Sequence, residues 1–112
     1  MSIYEAAIDL NPRGAEALTG LGRCLLELKD YDRAIGNFRA ALTISPRNPE
    51  ALIGAAEAYQ FKGNVPAAIA HYKGYLEAAP RGARAELARS ALAKLSQGVQ
   101  TNDDLHGTGK PK

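Results

Sequence analysis

A chain of 112 residues with 14 basic and 12 acidic side chains and a formal net charge of +2 suits one modest domain burying roughly two thirds of its unfolded surface. Near-balanced charge imposes no field of one sign, so neither nucleic acid nor an anionic membrane is implied as a partner. Cys24 has no second cysteine to pair with, no apolar run approaches the roughly 18 residues of a membrane span, and residues 1–10 lack the basic-then-apolar order of a signal peptide. The expected compartment is the cytoplasm, unless the sequence is a piece of a longer exported protein.

In chain order, Tyr4, Ala7, Ile8 and Leu10 share one helical face within residues 2–10, and Asn11-Pro12-Arg13-Gly14 follows with turn-forming side chains. Leu18, Leu21, Leu25 and Leu28 then recur at three and four positions, which predicts a helix over residues 16–28 with those leucines on its buried face. Cys24 falls beside Gly20 on the small-residue side and is expected to be a buried, reduced, structural thiol. Lys29-Asp30-Tyr31-Asp32 interrupts the pattern. Ala34, Ile35, Phe38, Ala41, Leu42 and Ile44 resume it until Ser45-Pro46, where proline closes the helix. A fourth helix is expected over residues 49–62, with Pro49 at a first helical position, and a fifth from Pro66 to about Ala78 after the turn at Gly63-Asn64. A sixth helix, residues 83–96, places Ala88, Ala91, Leu92 and Leu95 on one stripe and Arg84, Glu86, Arg89 and Lys94 mostly off it, as a capping helix requires. Residues 97–112 hold little to bury and read as a flexible tail.

Pro12, Pro46 and Pro80 stand 34 residues apart, and the same offset aligns Tyr4 with Phe38 and Tyr72, Ala17 with Ala51 and Ala85, Gly20 with Gly54, Leu18 with Leu52, Ala34 with Ala68, and Leu42 with Leu76. A fixed period of this length marks an array of repeated units. Each unit is two helices and a turn. Small residues at Gly22, Ala34 and Ala41 let those helices approach.

The sequence of Leu18, Leu21-Gly22, Leu25, Ala34, Phe38, Ala41 and Pro46 resembles the tetratricopeptide repeat, and Leu52, Ala55-Ala56, Tyr59, Ala68, Tyr72 and Pro80 repeat the pattern. One departure stands out: Tyr75 occupies the place matched by the small Ala41, and it either widens the local packing or faces outward. The resemblance implies an all-α, right-handed solenoid of antiparallel helix pairs. Its parts are a half repeat at residues 1–14, whole repeats at 15–48 and 49–82, a cap at 83–96 and a tail at 97–112. It further implies a protein-binding module, a scaffold whose concave groove takes a peptide or helix of a partner protein.

The groove positions so implied are Glu16, Thr19, Gly20, Arg23, Leu26 and Glu27 in the first repeat, and Glu50, Ile53, Gly54, Glu57, Gln60 and Phe61 in the second. Gly20 and Gly54 would let a backbone approach, Ile53 and Phe61 would offer apolar contact, and Arg23 would grip a carboxylate. Family members that bind chaperones clamp a C-terminal carboxylate with lysine and asparagine. Thr19, Arg23 and Gly54 take the corresponding places here, so that ligand is disfavoured. Arg13, Arg47 and Arg81 each follow a ladder proline, either as solvated turn residues or as a basic edge for an acidic partner.

Nothing in the sequence carries a reaction, and no cofactor is expected. His71, placed toward an outer face, and His106 lack partners at metal-ligand spacing, and Gly20-Leu21-Gly22 lies within a helix, where it cannot act as a phosphate loop. Two other readings stand beside partner binding. The module is a regulatory or docking domain of a larger multidomain enzyme or assembly protein, or it self-associates as a structural homo-oligomer through residues 2–10, whose outer face would otherwise expose apolar side chains.

Overall fold

The computed structural model describes the backbone of residues 13–107 and the side chains of residues 14–97. The expected helix over residues 2–10 lies outside the described residues. Five helices follow one another: α1 (Arg13–Glu27), α2 (Tyr31–Ile44), α3 (Pro49–Lys62), α4 (Val65–Ala78) and α5 (Ala85–Gly107), with no strand among the described residues. Adjacent helices pack in pairs, α1 on α2 and α3 on α4. The pairs join through α2 on α3, α5 packs on α4, and α1 also touches α3. The fold is the all-α solenoid expected from the period.

Local chemistry sets the helix ends. Asp30, Asn48 and Asn64 each precede a helix and accept a backbone N–H three residues on, from Arg33, Ala51 and Ala67 at 3.4, 3.2 and 3.2 Å, which satisfies a donor that the first turn leaves free. The two turns inside the repeats reverse the chain through left-handed residues 34 positions apart, Lys29 (φ 67°) and Gly63 (φ 88°). In both, the next residue's N–H reaches back five positions, Asp30 to Leu25 O and Asn64 to Tyr59 O, at 2.9 Å each. Arg13 and Gly14, read from sequence as turn, already belong to α1.

The buried side chains fall into two clusters. Leu18, Leu25, Ala34, Phe38, Ala41, Ala51 and Ala55 build the first, and Leu52, Ile53, Ala56, Ala68, Tyr72, Tyr75, Ala85 and Ala88 the second. Phe38 is the joint between the repeats. A Cβ on Gly22 of α1 would come within 2.8 Å of its ring, and one on Gly54 of α3 would overlap it. Glycine at both places therefore lets one aromatic ring fill the space between α1, α2 and α3.

Three expectations about packing change. Leu18 and Leu25 are buried, but Leu21 is 50% and Leu28 76% exposed. At about 100° per residue, the seam centred on Leu18, Gly22 and Leu25 leaves Leu21 and Leu28 on its flank. The same rotation turns Cys24 away, and its thiol is exposed instead of buried. His71 does not point outward: its ring lies 5.1 Å from that of Tyr59, and Nδ1 sits 2.8 Å from Ala67 O.

Tyr75 resolves inward. It is 2% exposed, its hydroxyl accepts the Arg84 N–H at 2.9 Å, and the ring end abuts Gly82, where a Cβ would collide with the hydroxyl. Where the first repeat has the small, wholly buried Ala41, the second thus has a large side chain that ties α4 to the start of α5. Helix α5 continues to Gly107, past the break expected after Ser96. Residues 97–106 contain one glycine and no proline, and a single glycine costs a helix only about 1 kcal/mol. On α5, Glu86 and Arg89 occupy the places of Leu52 and Ala55. They are exposed and pair with each other at 3.5 Å, and Arg89 also donates to Pro80 O at 2.7 Å.

Candidate functional site

Helices α1 and α3 take equivalent places in their pairs, and α5 repeats that place a third time. Two hollows open beside them. The first, of about 930 Å³, is walled by Glu16, Thr19, Gly20 and Arg23 of α1 and by the connection from Ile44 to Glu50. The second, of about 820 Å³, lies between Glu57, Gln60 and Phe61 of α3, Tyr72 of α4, and Leu87, Ser90, Ala91 and Lys94 of α5.

In the first hollow Glu16 and Gly20 are exposed, and a Cβ on Gly20 would meet nothing within 4 Å among the described residues. Thr19 is 5% exposed, and its hydroxyl donates to Ala15 O at 2.7 Å. Arg23 is half-buried. Its Nη1 is shielded from solvent, lies 3.9 Å from Glu50 Oε1 and makes no hydrogen bond. An Arg donor left in that condition is costly unless something else accepts from it.

In the second hollow Glu57 pairs with Arg84 at 3.3 Å. Burial pushes the Glu57 carboxyl above its ordinary value of 4.5, outweighing the pull of Arg84 and Arg23. The Tyr72 hydroxyl donates to Gln60 Oε1 at 2.6 Å. Burial, and then the Glu57 charge, push that hydroxyl up to about 12, so it remains a donor throughout the neutral range. Phe61 is 64% exposed, and its ring stacks on Tyr31 of α2 with centroids 5.3 Å apart and planes 15° from parallel. Lys62 pairs with Asp32 at 2.7 Å beside that stack.

The expected groove residues therefore divide. Glu16, Thr19, Gly20, Arg23 and Glu50 line one hollow and Glu57, Gln60 and Phe61 the other. Glu27 is exposed outside both linings, and Leu26 packs on the first core cluster. Ile53 and Gly54 are withdrawn. Ile53 is wholly buried in the second core cluster, and Gly54 lies under the Phe38 ring, so neither offers a surface. Ile53 shares that cluster with Ala85 and Ala88 of α5, whereas Gly54 is closed off by Phe38 of α2, and Leu87, the counterpart of Ile53, is 44% exposed in its stead. Sequence reasoning missed Leu87, Ala91 and Lys94. The signal was present, since adding 34 to Ile53, Glu57 and Gln60 yields those three positions.

Of the three arginines that follow the ladder prolines, Arg47 is exposed and donates to Glu77 O at 3.3 Å, at the end of α4, Arg81 is exposed, and the Arg13 side chain lies outside the described residues.

Residues 25–95 match a family model described as tetratricopeptide repeat, and residues 3–36 match a second model of the same description. The chain belongs to the tetratricopeptide repeat family. No curated protein matches it. Tetratricopeptide repeats generally mediate protein–protein interaction, and domains built from them are typically non-catalytic. Among the described residues of this tetratricopeptide array, no group of three His, Cys, Asp or Glu side chains could hold a metal ion, and no helix is long and apolar enough to cross a membrane.

Proposed function

We propose that the chain is a protein-binding module that takes a peptide or helical segment of a partner along the face shared by α1, α3 and α5. One observation carries this reading. That face holds both hollows, and it presents the partly exposed Arg23 side chain, paired with Glu50, in one and a pre-positioned Phe61 ring in the other. An exposed aromatic held by a neighbouring ring loses little freedom when a partner covers it, and aromatic and Arg side chains dominate the energetics of protein contacts. The expected cytoplasmic location accords with such a role.

The test is selection of binders from a random-peptide library against the full chain, followed by titration of the enriched peptides. Arg23→Ala with Phe61→Ala should abolish their binding while the helical signal persists and melting shifts little. Failure to enrich any peptide, or equal binding to the double variant, would overturn the reading.

A further inference from the structure

The hollow between α3 and α5 has a chemistry of its own, set by which of its polar groups are already engaged. Glu57 is held by Arg84 at 3.3 Å, and the Tyr72 hydroxyl is held by Gln60 at 2.6 Å. Lys94 is different. It is exposed on the wall, and no carboxylate among the described residues pairs with it. With Glu57 and Arg84 cancelling, the hollow carries one positive charge that no described residue offsets. Apolar contact comes from Phe61 on one side and Leu87 on the other, both substantially exposed. Leu87 and Lys94 lie two turns apart on one face of α5, about 10 Å along the axis.

Resting on the binding role proposed above, we propose that the hollow between α3 and α5 docks a partner segment in which a large apolar side chain lies close to an acidic one. The apolar group seats between Phe61 and Leu87, and the carboxylate pairs with Lys94. A basic segment would find Glu57 occupied and would face Lys94 with like charge, which makes the site selective against it.

The peptides enriched on the full chain provide the probe. They should contain an aspartate or glutamate near a large apolar residue. Lys94→Glu should weaken them by about tenfold or more, and exchange of the peptide's acidic residue for lysine should restore binding to that variant. Lys94 is exposed and unpaired among the described residues, so Lys94→Glu should melt like the parent, and a matching melt distinguishes lost binding from lost fold. If the enriched peptides are basic, or lose binding with Arg23→Ala while ignoring Lys94→Glu and Leu87→Ala, this inference is overturned and the broader binding role stands. If no peptide is enriched, both fall.

Discussion

Gly20 and Gly54 are 34 residues apart and occupy the same place in the repeat pattern. Gly54 makes room for the Phe38 ring, whereas a Cβ on Gly20 would meet nothing within 4 Å among the described residues. The counterpart of Phe38 for Gly20 is Tyr4, outside the described residues. Gly54→Ala should therefore cost about 1–3 kcal/mol by overpacking, as read by urea denaturation. Glu57 allows a second prediction at this scale. Its carboxyl is raised above 4.5 by burial, so the native state holds this proton more firmly than the unfolded state does. Its contribution to stability is then greatest at low pH and is lost as pH rises from 4.5 through the raised native value. The stability of Glu57→Gln relative to the parent should accordingly improve between about pH 4 and about pH 7, and urea titrations at the two ends would show it. A difference that stays flat would mean that Arg84 fully offsets the burial.

At the scale of the element, Tyr75 sets how α5 joins the array. The family pattern favours a small residue in its place, so Tyr75→Ala looks from sequence like a return to the norm. Packing says otherwise. The ring fills the space beside Ala79 and Gly82, and its hydroxyl accepts the Arg84 N–H at the start of α5, so Tyr75→Ala should destabilise by roughly 3–5 kcal/mol. Tyr75→Phe, which only removes the acceptor, should cost about 1–2 kcal/mol. Thermal melts of the two variants would separate filling from hydrogen bonding. Helix positions and the solenoid class could be read from sequence because the prolines, Asn48, Asn64 and Gly63 act within a few residues of the ends they set. The leucine stripe of α1 could not be read so well. Leu21 and Leu28 share the period of Leu18 and Leu25, and only the placement of α2 and α3 decides which members of a wide stripe are covered. Ile53 was misplaced for a related reason: it is buried by the second core cluster, which includes Ala85 and Ala88 of α5, a contact that the second repeat's own sequence does not encode.

For the whole molecule, the contact order of the helices is nearly that of the chain, α1 to α2 to α3 to α4 to α5, with α1 also on α3 and α5 meeting α3 more lightly through Ala85, Ala88 and the Arg84–Glu57 pair. Stability in such an array is close to a sum of units and nearest-neighbour interfaces, so damage should spread according to which interfaces a residue serves. Phe38 serves two, through Gly22 of α1 and Gly54 of α3, while Tyr75 serves the α4–α5 end. Native-state hydrogen exchange distinguishes these cases. Phe38→Ala, costing about 3–5 kcal/mol, should accelerate exchange in α1, α2 and α3 together. Tyr75→Ala should accelerate α5 and the end of α4 first and leave α1 and α2 close to their original protection. Equal acceleration of all five helices by Tyr75→Ala would mean that the array unfolds as one cooperative block. A partner seated between α3 and α5 would then stabilise α1 as much as α5. If exchange is graded instead, binding in that hollow should protect α5 most, because the partner there replaces solvent on the helix with one packed neighbour.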